Sequence, residues 1–112
     1  IHGPLELLDF VVQVFGAKEL ERHAFNPQKF HVEYQIGDAV VAVEAGALPP
    51  GYPAWTSSIY VYVDDADLVF QRALACGAEI VMPVADQKYA ERSGGVKDCA
   101  GNIWWISTYL GE

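Results

Sequence analysis

Ser58-Ile-Tyr-Val-Tyr-Val-Asp-Asp-Ala-Asp-Leu-Val-Phe-Gln-Arg-Ala-Leu-Ala-Cys-Gly77 carries two different periodicities, one after the other. Ile59, Val61 and Val63 alternate with Ser58, Tyr60 and Tyr62, the period of two that defines a strand with distinct faces. Asp64 or Asp65 then offers a side-chain oxygen to the free N–H groups of a first helical turn. Ala66, Val69, Phe70, Ala73 and Leu74 fall on one helical face, and Gly77 supplies a residue that ends a helix cheaply. The unit is therefore β-α. Downstream, a strand is expected near Glu79 to Pro83, then a loop, a strand near Gly95 to Asp98, a turn at Ala100-Gly101, and a last strand over Asn102 to Thr108. The second half reads β-α-β-β-β.

The first half follows the same order. Pro4 can open a helix, because the N–H it lacks would have no partner there. Leu5, Leu8, Val12 and Phe15 recur at helical spacing, Glu6, Asp9 and Gln13 form a polar stripe, and Gly16 closes a helix over about residues 4–15. One more strand is expected near Lys18 to Phe25. Phe30 to Glu44 alternates around a two-residue turn at Gly37-Asp38. Val32, Tyr34, Ile36, Ala39, Val41 and Val43 share an apolar face that should pack on the first helix. His31, Glu33, Gln35, Val40, Ala42 and Glu44 share the mixed face. The leading strand of this half is largely absent, surviving only as Ile1-His2. Residues 46–57, rich in Pro and Gly, read as a linker between module one (1–45) and module two (58–112).

The halves also echo in letters. Asp9-Phe-Val-Val-Gln13 resembles Asp67-Leu-Val-Phe-Gln71, each helix ends in Gly-Ala, and each half closes on a glycine-bearing hairpin. Shared element order plus local similarity indicates duplicated modules. The expected fold is α+β: two paired βαβββ modules forming a cupped mixed sheet, with helices on the outer face.

Bulk properties exclude several function classes. The 112 residues fit a single domain, and 52% hydrophobic with 20% charged residues is a globular composition. Seven Lys and Arg against fifteen Asp and Glu give a net charge of −8, and the basic residues are scattered. A nucleic-acid partner needs clustered cations to displace counterions, so none is expected. No apolar run approaches membrane-spanning length and no signal peptide is read, so no membrane partner is expected. Cys76 and Cys99 lack metal-site spacing and fit a reducing, cytoplasmic location. Cys99 has no basic neighbour to activate it and reads as inert. His2 and His23 are assigned no role.

Tyr60-Val-Tyr-Val-Asp-Asp-Ala-Asp67, the helix ending Cys76-Gly-Ala78, and Tyr89-Ala-Glu-Arg-Ser-Gly-Gly-Val-Lys-Asp-Cys-Ala-Gly-Asn-Ile-Trp104 resemble the vicinal-oxygen-chelate superfamily of glyoxalases, bleomycin-resistance proteins and dioxygenases. Within it the chain looks like the PhnB-like branch, whose usual ending is similar to Y-G-D-R-x-x-G-V-x-D-P-x-G-N-x-W. Ala90, Glu91 and Cys99 depart from that ending. The resemblance implies the paired-module fold, a homodimer, and a cavity on the concave face. Metal-using members place His or Glu at cavity-facing positions, two from the first and last strands of each module. Here three of those positions carry Ala42, Ser58 and Trp105, and the fourth lies in the missing strand. None is a good ligand for a divalent ion, so no metal or other cofactor is expected.

Other residues carry the remaining candidate chemistry. His31, Glu33 and Glu44 share the mixed face, with His31 and Glu44 as cross-strand neighbours, and a His beside a carboxylate can serve as a base. They are weak catalytic candidates, and a solvent-facing hairpin end is the alternative. Tyr60, Tyr62 and Trp105, with Ile103 beside them, make either a small-molecule pocket or core and interface filling. Arg92 and Lys97 flank Ser93-Gly94-Gly95, which is either a weak anion-binding loop or a plain hairpin loop, and Arg92 could instead pair with Asp98. The expected ligand-binding set is Glu33, Gln35, Tyr60, Tyr62, Arg92 and Trp105. The leading functional expectation is a protein that binds a small, partly apolar molecule without a metal. The alternatives are a lyase-, isomerase- or dioxygenase-type enzyme using non-standard residues, and a homodimeric interaction module.

Overall fold

A computed structural model describes residues 1–47 and 55–111. Most of the expected linker, residues 48–54, lies outside the described residues. The order is β1 (His2–Gly3), α1 (Glu6–Phe15), β2 (Lys18–Asn26), β3 (Lys29–Ile36), β4 (Ala39–Gly46), β5 (Ser58–Tyr62), α2 (Ala66–Ala75), β6 (Glu79–Asp86), β7 (Glu91–Lys97) and β8 (Ile103–Tyr109). It is βαβββ twice. One sheet runs β1-β4-β3-β2 and the other β5-β8-β7-β6. In each, the first strand lies parallel to the last and the other pairs are antiparallel. The chain thus forms two separate four-stranded mixed sheets, and among the described residues no strand pairing joins them. The paired βαβββ modules are those expected, each contributing one mixed sheet.

The helices form for local reasons. Asp65 is extended, and its carboxylate accepts the Leu68 N–H at 3.1 Å, capping α2. Gly16 sits at φ 63°, left-handed, and its N–H reaches the Val12 carbonyl at 3.0 Å, ending α1. Pro4 lies just before α1 rather than within it. Leu7, Val11 and Val14 of α1 and Ala73 of α2 are fully buried, and they share one core with Val32, Tyr34, Val43, Trp104 and Ile106. Trp104 joins the modules, its ring 4.7 Å from Phe15 and 6.2 Å from Phe10 of α1. The apolar set of the 30–44 hairpin packs inward as expected, though Ala39 at its turn is exposed.

Two elements differ from expectation. β6 continues to Asp86 through Pro83, which is tolerated because β6 is an edge strand, where a missing backbone donor need not break a ladder. β7 begins at Glu91, four residues before the expected Gly95. Ser93-Gly94-Gly95 is therefore strand interior rather than loop. The glycines are there for space: a Cβ on Gly95 would meet the Trp105 ring at 2.6 Å, and one on Gly94 would meet Val84 at 2.8 Å.

Candidate functional site

Each sheet has one face on the helices and one open. On β3 and β4 the open face carries His31, Glu33 and Glu44. His31 and Glu44 are register partners, and His31 Nδ1 bonds a Glu44 oxygen while Nε2 lies 3.1 Å from Glu33 Oε2. The two carboxylates, Glu44 first, raise the imidazole above its ordinary value. Both ring nitrogens are taken in this geometry, so the residue clamps two strands and has no nitrogen free to accept a substrate proton. Gln35, on the same face, turns to its own hairpin, donating to the Gly37 carbonyl at 3.1 Å.

The open face of the second sheet is different in kind. Tyr60 and Tyr62, two apart on β5, both reach across β8 to β7. Their hydroxyls donate to Glu91 Oε2 and Oε1, each at 2.7 Å. Glu91 is 7% exposed while the tyrosines are 45% and 60% exposed, so phenol rings cover a buried carboxylate. Desolvation of its hydroxyl, reinforced by Glu91, pushes Tyr60 up to about 12. Hydrogen bonding to Glu91 raises Tyr62 as well. Trp105 lies over Gly95, its register partner, and donates its indole N–H to Ser58 Oγ at 2.9 Å. Beside the tyrosines a cleft of about 470 Å³ runs between the modules, lined by Ile36, Ala39, Val41, Ile59, Tyr60 and Tyr62 among others.

The expected site residues thus fall in two groups, His31-Glu33-Glu44 and Tyr60-Tyr62-Trp105. Arg92 joins neither. Strand alternation turns it to the helix side of β7, where its guanidinium holds Asp67 of α2 at 2.6 and 3.0 Å and Asp86 of β6 at 3.0 Å. It is not beside a glycine loop and does not pair with Asp98. Lys97 pairs with Glu79 at 3.3 Å. Burial, with Asp98 nearby, raises the Cys99 thiol, the direction of an unreactive group. Glu91 escaped the sequence reading, which treated it only as a departure from a pattern. Extending the β7 alternation upstream through Lys97, Gly95 and Ser93 would have put it on the aromatic face.

A glyoxalase/bleomycin resistance protein/dioxygenase superfamily profile matches residues 5–106. The chain belongs to this superfamily. An uncharacterized protein of Mycobacterium bovis is 31% identical over 115 residues, spanning 94% of this chain and 76% of that protein. TioX from Micromonospora sp. ML1 shares the fold with a TM-score of 0.76 and 26% identity, covering 98% of this chain and 96% of that one. The fosfomycin resistance protein FosX from Mesorhizobium loti has a TM-score of 0.64 at 20% identity, covering 96% and 82%.

Some members of the superfamily use a divalent metal, and the residues here do not fit one. Ala42 has no ligating atom in its side chain. Ser58 Oγ and the Trp105 indole are bonded to each other. β1 offers one imidazole, His2, with Gly3 beside it. Among the described residues no three His, Cys, Asp or Glu side chains converge as a metal set.

Proposed function

We propose that this superfamily member binds a small, partly apolar molecule on the aromatic open face of its second module, without the divalent ion some relatives employ. One observation carries the reading: Tyr60 and Tyr62 are exposed beside a cleft of about 470 Å³, where a core-filling role would bury them, and the half-buried Trp105 is the register partner of Tyr60. Glu33 and Gln35, expected as polar contacts, are bonded to His31 and to the Gly37 carbonyl and would have to leave those partners to reach a ligand. The reading includes a homodimer, membership of the PhnB-like branch and a cytoplasmic location. The Tyr89-to-Trp104 ending supports the branch, and two free, exposed cysteines are in keeping with the location.

Equilibrium dialysis against Ni²⁺, Zn²⁺ and Mn²⁺ should show no stoichiometric retention. A screen of small aromatic solutes followed by tryptophan emission should find saturable binding that Trp105→Ala abolishes. Tight one-to-one retention of any of the three ions would overturn the metal-free reading.

A further inference from the structure

Glu91 is a buried carboxylate whose side-chain partners are two phenols. Among the described residues, every ion pair uses other carboxylates: Arg22 holds Glu19, His31 holds Glu33 and Glu44, Arg92 holds Asp67 and Asp86, and Lys97 holds Glu79. A charge removed from water without a counter-charge is costly. The surroundings offer acceptors rather than donors. Each tyrosine has spent its one O–H proton on Glu91, which leaves the phenol oxygens as strengthened acceptors toward the open side. Below them on β8, Ser107 pairs in register with Tyr62 and Ser93. Its hydroxyl is 0% exposed and lies beside that of Tyr60. The Tyr60 and Tyr62 rings, 5.4 Å apart and inclined at 46°, pack against each other over this floor and leave their outer surfaces exposed.

From this geometry we infer that the molecule bound on the aromatic face carries a protonated amine, seated against the exposed surfaces of Tyr60 and Tyr62 above Glu91. An ammonium group has donors and no acceptor, matching a floor of acceptors around one buried negative charge. Its positive charge is attracted to the electron-rich faces of the two rings. An anionic head would meet the Glu91 charge with no cationic group among the described residues of the face to receive it. The inference rests on the proposed binding face and specifies its ligand class.

The test uses three probes sharing one phenyl group: 2-phenylethylammonium, 2-phenylethanol and 3-phenylpropanoate, titrated calorimetrically into the full chain. The amine should bind about tenfold tighter than the alcohol, and the propanoate weakest. Glu91→Gln should bring the amine to within about threefold of the alcohol. If that variant fails to fold by circular dichroism, Tyr62→Ala, at an exposed ring, should weaken the amine about fivefold and spare the alcohol. Equal binding of all three probes, or preference for the propanoate, overturns the amine inference and leaves the binding face standing. No binding by any probe removes both. A Glu91→Gln protein that keeps its amine preference but changes its oligomeric state assigns the carboxylate to subunit contact and also overturns the inference.

Discussion

His31 is held from both sides, by Glu44 across the ladder and Glu33 two residues along its own strand. Both carboxylates favour the imidazolium, so the folded-state pKa lies above the ordinary 6.5. The sign of the stability effect follows. The contribution is fully present below pH 6.5 and is lost as pH rises through the raised folded value. A ring-proton NMR titration should place His31 above 6.5, and Glu44→Gln should move it back toward that value. An unchanged titration in the variant would remove Glu44 as the main cause. At this scale the sequence was informative where alternation alone fixes neighbours: the His31–Glu44 pairing and the Tyr60–Tyr62 face follow from a period of two. It missed Glu91 and offered Arg92 the wrong partner, Asp98 rather than Asp67 and Asp86, because their partners depend on where β7 begins and which way it faces. Ala90 shows a different limit. It stands at φ 58°, a region that favours glycine.

The β7–β8 hairpin turns on Asp98. Its buried carboxylate accepts the Ala100 N–H at 2.8 Å, the Asn102 N–H at 3.0 Å, the Asn102 amide at 3.1 Å and the Trp104 indole N–H at 2.8 Å. Asn102 in turn accepts the Ser57 N–H at 2.9 Å and donates to the His2 carbonyl at 3.2 Å, tying the turn to β5 and β1. The Asp-x-x-Gly-Asn-x-Trp spacing read from the sequence is thus a hydrogen-bond hub that fixes the fold, with no direct part in the open face. Asp98→Ala leaves several buried donors unpaired and should cost about 3 kcal/mol in urea unfolding, with no change in the open-face contacts. A loss within about 0.5 kcal/mol would mean that water replaces the carboxylate. Element types were legible from periodicity and caps. The start of β7 was not, because a glycine pair carries the same local signal whether it makes a loop or gives room to a tryptophan.

The molecule is long, 47 Å by 25 Å by 23 Å, with a radius of gyration of 14.5 Å. A compact chain of this length would have about 13 Å. All nine residues of β2 are exposed, Leu20 and Phe25 included, so one end of the first sheet has nothing packed on it. An exposed edge strand and an uncovered aromatic face both favour association. The proposed homodimer should appear in light scattering at twice the 12.3 kDa protomer mass, and a monomer at all concentrations would refute it. The duplication is legible at this scale in element order but not in letters. The five-residue echo has an offset of 58 (Asp9 to Asp67), whereas the buried helix positions superpose at 59: Leu7 on Ala66, Phe10 on Val69, Val11 on Phe70, Val14 on Ala73. A one-residue slip rotates a helix face by about 100°, so the similar letters stand in different environments.

Trp104 and Trp105 are consecutive and point through opposite faces of one sheet, the first into the core against Phe15 and the second toward the open side with Ser58. That alternation gives the chain two adjacent fluorophores with separate duties. The third tryptophan, Trp55, is 68% exposed, so it is replaced by phenylalanine for the purpose. In a Trp55→Phe chain, a quencher dissolved in the buffer reaches Trp105 and spares Trp104 until the core opens, and a single emission experiment separates an occupied face from a melted fold.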